Sequence, residues 1–169
     1  MHVTGLKVLS QTERVDDAKD ISGQEMEKVL IYLCRHYDFI VIDGIRDFGE
    51  RAIVALDMSS YVVLNVPQEA LAFRNAKRCL KLFRMLGYGD DKVRVVLNRY
   101  QPSRHIDKET ISTALGRAVD GTVRNNYPSI ITSINEGRLL VSEQSSTKVA
   151  KDIKRLCPLF FKRPSSHPA

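Results

Sequence analysis

An open, mostly parallel, doubly wound α/β sheet with helices on both faces is the fold class that this 169-residue sequence predicts. Three observations carry it. Short Val- and Ile-rich runs recur with little polar alternation, as strands do when both faces of a sheet are covered. Between them lie segments whose apolar residues return every three or four positions, the period of a helix that buries one stripe. The two kinds of segment alternate along the chain, the order from which parallel crossovers are built. A single domain over residues 1–157 is expected, followed at 158–169 by a basic and apolar stretch and then a disordered end, PSSHPA.

Taken in order, the strand-like runs are Leu6–Leu9, Phe39–Ile42, Tyr61–Val66 and Val93–Leu97, with a weaker one at Val119–Val123. The first helix is expected over Gln24–Tyr37, where Met26, Val29, Leu30, Leu33 and Tyr37 form one stripe. Ser22 and Glu25 before it have the S-x-x-E spacing of a capping box. A second helix is expected over Phe48–Met58. A third spans Glu69–Leu86 and stops at Gly87, a residue free to take the left-handed conformation that closes helices. A fourth runs over Ile106–Leu115 up to Gly116, and shorter ones lie near Ser129–Asn135 and Ser146–Leu156. There is no internal repeat.

Composition narrows the function classes. Apolar residues make up 43% and charged residues 27%, which favours neither a disordered nor a fibrous chain. No apolar run approaches the roughly 18 residues that cross a bilayer. The start, MHVTGLKVLS, lacks the basic region, apolar stretch and small-residue site of a signal peptide. Cys34, Cys79 and Cys157 show no CxxC spacing, and read as free thiols in a reducing cytoplasm. The net charge of +6 is concentrated in two places. One is the run Arg74–Arg84; the other is Lys148–Arg163, with six cations and one acid, Asp152.

Ligands of open α/β sheets bind beyond the carboxyl ends of the strands. That rule selects Asp43, which closes DFIVIDG and is followed by Gly44; Asn98 and Arg99, which close VRVVLNRY; and the loop Arg124, Asn125, Asn126. An acid at a strand tip can reach Mg²⁺ or an attacking water, or it can simply cap the next turn. An Asn there can offer both a donor and an acceptor to a base edge, or it can serve the turn itself.

The order and spacing of YDFIVIDG, a strand ending Val66-Pro67, LAFRNAKRCLKLFRMLG, VVLNRY and SINEGRLL resemble the MinD/ParA-type P-loop ATPases from about Gly5 to Leu156. The phrases R-N-A-K-R, V-L-N-R-Y and S-I-N-x-G look most like the CpaE/TadZ branch, which works in Flp/Tad-type pilus assembly. The resemblance implies a Walker B or switch II role for Asp43, with Mg there only if a phosphate loop is supplied. It implies an adenine-side role for Asn98 and a base-contacting turn at 124–126, so that Asp43, Gly44, Asn98, Arg99, Asn125 and Asn126 make up the nucleotide-binding set. ATP and Mg are the cofactors of complete members. Protein partners of a pilus or secretion assembly, a homodimer in the full-length form, and a place at a cell pole or the inner membrane face are implied as well.

The departures bear on activity. No G-x-x-x-x-G-K-[ST] or KGGxGK[ST] motif occurs in the 169 residues, so the chain has no amide nest or Lys for the β- and γ-phosphates and is expected to bring no cofactor site of its own. No catalytic residue is assigned with it. The family's Pro after the switch acid is replaced by Gly44-Ile45-Arg46, and Arg124 stands for its turn Pro. In the family's sheet the phosphate-loop strand lies between those matching Phe39–Asp43 and Tyr61–Val66. Those two strands are then expected to close up directly, to take a strand from a partner, or to belong to a longer gene product, the last being favoured.

The cationic runs have two readings each. Arg74, Lys77, Arg78, Lys81 and Arg84 repeat at three and four and form one stripe. It is a solvated helix face or, as in ParA-like proteins, a sequence-independent phosphate-contacting surface for DNA. The run KVAKDIKRLCPLFFKR docks Ile153, Leu156, Leu159, Phe160 and Phe161 on the domain, or binds a membrane surface as MinD's last helix does. Pro158 is expected to interrupt any helix there.

Overall fold

The computed structural model describes residues 5–9, 21–102, 107–143 and 146–160, and the chain divides into two compact units, Met1–Ser59 and Ser60–Ala169. The first unit holds two helices packed on each other, α1 (Gly23–His36) and α2 (Glu50–Met58). The capping box at Ser22 is present: its hydroxyl accepts from Glu25 N–H at 3.3 Å, and the Glu25 carboxylate accepts from Ser22 N–H at 2.8 Å. Both orphan amides are thereby satisfied, which fixes where α1 begins. Gly23 lies so close to the Glu50 side chain that an added Cβ would meet it at 2.6 Å.

The second unit is a three-stranded parallel sheet in the order β1 (Val62–Pro67), β2 (Val93–Tyr100), β3 (Gly121–Arg124). Helices α3 (Ala70–Met85) and α4 (Lys108–Leu115) make the two crossovers and pack on one another. Strand β2 is the hub. Val95, Val96 and Leu97 are all buried, as a strand covered on both faces must be. By the strand's alternation Val96 points to one face, where it meets Val123, Val149, Ile130, Leu140, Ile153 and Leu156. That cluster joins the sheet to α5 (Tyr127–Asn135), α6 (Leu140–Glu143) and α7 (Lys148–Phe160). Gly121 on β3 makes room for Leu156, whose side chain occupies the place a Cβ would take.

Several expectations are corrected. Leu6–Leu9 and Phe39–Ile42 form no strand, and Val8, Leu9, Phe39 and Val41 are 77%, 82%, 67% and 90% exposed. Their composition suits a strand, but a strand exists only in a ladder, and neither run is part of one among the described residues. Helix α2 starts at Glu50 and not at Phe48; β3 is Gly121–Arg124 and not Val119–Val123. Helix α4 begins after Asp107, whose carboxylate accepts from Thr110 N–H at 2.7 Å, while Ile106 lies outside the described residues. Pro158 does not break α7, which runs to Phe160: in the last turn its missing N–H costs one hydrogen bond and no continuing helix depends on it. The end of the chain, with Phe161, Lys162, Arg163 and PSSHPA, lies outside the described residues.

Candidate functional site at the strand ends

The carboxyl ends of β2 and β3 bring Asn98, Arg99, Asn125 and Asn126 together. Tyr100 pairs with Arg124, and Asn125 N–H donates to the Tyr100 carbonyl at 3.0 Å, so the two turns leave the sheet side by side. Arg99 has φ 52°, a left-handed backbone unusual for so bulky a residue. It is held there from both sides. The Asn98 carboxamide oxygen accepts from Arg99 N–H at 2.8 Å. Gln68, buried beyond β1, accepts from Gln101 N–H at 2.8 Å and donates to the Gln101 carbonyl at 3.4 Å.

This geometry sorts the two readings of each Asn. Asn98 spends its oxygen on its own turn, which leaves its NH₂ as the group to meet an acceptor. Asn126 caps α5, accepting from Ser129 N–H at 3.2 Å, with Pro128 in the first turn. Asn125 is exposed. Arg124 is spoken for: Nε and Nη2 donate to the two oxygens of Asp152 at 2.7 and 2.8 Å, and Arg124 N–H donates to the same carboxylate at 3.2 Å. The fork pulls the Asp152 carboxyl below the usual range against the opposing effect of burial. Arg124 thus ties β3 to α7 and does not point a free charge at the site.

Asp43 and Gly44 belong to the first unit. Asp43 is exposed, and Gly44 has φ +85°, so the chain turns sharply after the acid. Gln68 and Asp152 were missed by sequence reasoning. Asp152 had a signal, as the lone acid in a cationic run; Gln68, one polar residue after a strand, had none.

The opposite, amino-terminal end of the sheet is pinned by ion pairs. Arg117 donates to Asp90 at 3.0 Å and to the Val93 carbonyl at 2.9 Å, and Asp120 accepts from Val95 N–H at 2.7 Å and pairs with Arg94 at 3.6 Å. A cleft of about 300 Å³ between Tyr61, Arg94, Asp120, Pro158 and Leu159 opens there, away from the strand ends where the asparagines meet.

On α3 the five cations Arg74, Lys77, Arg78, Lys81 and Arg84 are all exposed, opposite the buried Ala76, Leu80 and Phe83. No ion pair neutralises any of them among the described residues. On α7, Val149, Ile153 and Leu156 face the sheet and Ala150 is buried, while Lys148, Lys151, Lys154 and Arg155 face water. No described helix is long and apolar enough to cross a membrane, and no described cluster of His, Cys, Asp and Glu could hold a metal.

No protein-family model matches the chain. It is 24% identical over 141 residues to the septum site-determining protein MinD of Thermotoga maritima, a match covering 80% of this chain and 51% of that protein. Its fold matches a ParA family ATPase from Chlorobium tepidum with TM-score 0.75 at 16% identity, over 82% of this chain and 57% of the other. A chain of the MinC:MinD cell division complex of Aquifex aeolicus matches with TM-score 0.68 at 20% identity, over 88% and 64%. The cell division ATPase MinD of Pyrococcus furiosus gives TM-score 0.68 at 21% identity, over 82% and 57%. These likenesses show the fold, a parallel α/β sheet flanked by helices as in MinD and ParA proteins. The chain spans about half the length of the curated relative it matches.

Proposed function

We propose that this chain is a CpaE/TadZ-like localisation or assembly factor for a Flp/Tad-type pilus or secretion system, with no ATPase activity of its own. What carries the reading is a site at the carboxyl ends of a MinD/ParA-like sheet that keeps Asn98 and the 124–126 turn, in a chain without a phosphate-binding loop. Such a site serves recognition better than phosphoryl transfer, because nothing in these residues would neutralise the β- and γ-phosphates. ATP and Mg enter only when that loop is supplied from outside these residues, Asp43 then being the Mg-side acid. The complex of the Aquifex aeolicus MinD chain with MinC supports a protein partner as the output. A fluorescent fusion in a cell that builds Flp/Tad pili is expected to gather at the machine, at a pole or the inner membrane face, while the purified chain retains no MgATP. An even distribution that ignores the machine would overturn the assembly role, and tight MgATP binding by the chain alone would overturn the inactive site.

A second reading, a ParA-like DNA-associated partition ATPase fragment, is favoured by one observation, the unneutralised stripe on α3. The third, a MinD-like membrane-associated regulator, has less support, since α7 spends its apolar face on the sheet.

A further inference from the structure

Helix α3 carries a surface that the strand-end site does not use. Leu71, Arg74, Arg78, Lys81 and Met85 follow one another at three, four, three and four residues, so they form a single row along one side of the helix. Lys77 and Arg84 flank that row, one turn to either side of Lys81. From Leu71 to Met85 it is about 21 Å long, at the rise of an α-helix. All seven side chains are exposed, Leu71 at 66% and Met85 at 75%. No acid stands between Ala70 and Leu86, and none of the five cations has a side-chain partner among the described residues. Ala76, Leu80 and Phe83 hold the other side of α3, which packs on β1 and α4. The row therefore looks away from the sheet, and its exposure does not depend on what stands beside either sheet edge.

Two features of the row select its partner. Five uncompensated cations call for a surface dense in negative charge. Two large apolar side chains at the ends gain only if that surface also has an apolar interior within a side chain's reach. Duplex DNA meets the first condition and not the second, because the outer contacts it offers are phosphate and sugar. A protein interface meets the second, but its centre is apolar and aromatic with charges at the rim. Here the order is reversed, with cations in the centre, apolar residues at the ends and no aromatic on the row. An anionic bilayer surface meets both, offering charged headgroups to the cations and acyl chains just beneath to Leu71 and Met85.

We propose that α3 lies flat on an anionic lipid surface, its five cations among the headgroups and Leu71 and Met85 dipping below them. The contact is distinct from any made by α7, whose apolar face is on the sheet. It needs no nucleotide and does not rest on the assembly role proposed above.

The full chain is expected to co-sediment with phosphatidylcholine vesicles that contain phosphatidylserine, and not with phosphatidylcholine alone. Binding falls steeply as salt rises. Arg78→Gln with Lys81→Gln is expected to weaken it by about 25-fold, at roughly fivefold for each cation lost. Leu71→Ser with Met85→Ser leaves every cation in place and is expected to weaken it by about tenfold. Binding to neither vesicle, or to both equally, would overturn the proposal. So would binding lost with Lys151→Gln and Lys154→Gln on α7 but kept in the α3 variants. Vesicle binding indifferent to Leu71 and Met85 would overturn it too, and would return the stripe to DNA if the Arg78 and Lys81 variant also loses retention on a duplex. Should a variant fail to fold, the native chain on vesicles with a photoreactive acyl chain decides. Cross-links are expected at Leu71 and Met85; cross-links confined to other elements would overturn the proposal.

Discussion

Asp152 is the one acid within α7, and the Arg124 fork with three hydrogen bonds makes it the tie between the last helix and β3. Its carboxyl is held below the ordinary aspartate value of 3.8, so the sign of the linkage is fixed. The stabilisation is fully present above the unfolded value and is lost as pH falls through the depressed one. Asp152→Asn is expected to lower stability by about 1.5–3 kcal/mol near pH 7, the usual worth of hydrogen bonds to a charged group. Denaturant titrations at pH 7 and at acid pH should then show the two proteins converging as pH falls below the aspartate range. A gap of constant size at every pH would show that the charge is not what matters. The same residue marks a limit of sequence reading: the cations around it were legible, but its partner 28 positions away was not. Spacing within a helix says nothing about which strand the helix will cover.

Elements were legible where the local pattern and the ladder agree. Helix α1 has its stripe and its capping box, and it forms where they place it. The β2 run VRVVLNRY reads as a doubly covered strand and is one. Phe39–Ile42 reads the same way and forms no strand, since composition states what a segment would do with neighbours and not whether neighbours exist. Pro158 fails in the other direction, because a helix-breaking residue in a last turn has little left to break. The five cations of the α3 stripe were legible from the period alone, and the structure sets them opposite the buried Ala76, Leu80 and Phe83. On the DNA-associated reading, the chain is retained on duplex DNA at low salt and released steeply as salt rises. Replacing Arg78 and Lys81 by Glu is then expected to flatten the slope of log K against log salt by about 2, at roughly 0.9 for each phosphate no longer neutralised. Retention unchanged by that pair of substitutions would remove α3 from the DNA surface.

At the scale of the whole molecule, the buried apolar residues are unevenly shared. Among the described residues, those in Met1–Ser59 are Leu30, Ala55 and Leu56; the remainder, among them Val66, Val93, Val95, Leu97, Ile111 and Val149, lie in Ser60–Ala169. The second unit also holds the whole sheet and its ion-paired amino-terminal end. Cooperative stability follows buried apolar surface and paired main-chain groups, so the two units are expected to open at different free energies. Among its described residues the first unit has two helices, few buried side chains, and exposed Val29, Tyr32, Phe39 and Val41. Its helices of 14 and 9 residues are near or below the length at which an isolated helix is stable in water. Limited proteolysis under native conditions is therefore expected to cut within residues 21–59 first and to leave a resistant fragment beginning near Ser60. That fragment should keep a cooperative thermal transition with the α/β far-UV signature of the parent. Simultaneous loss of both units, or a fragment without a transition, would show instead that the sheet depends on the two helices that precede it.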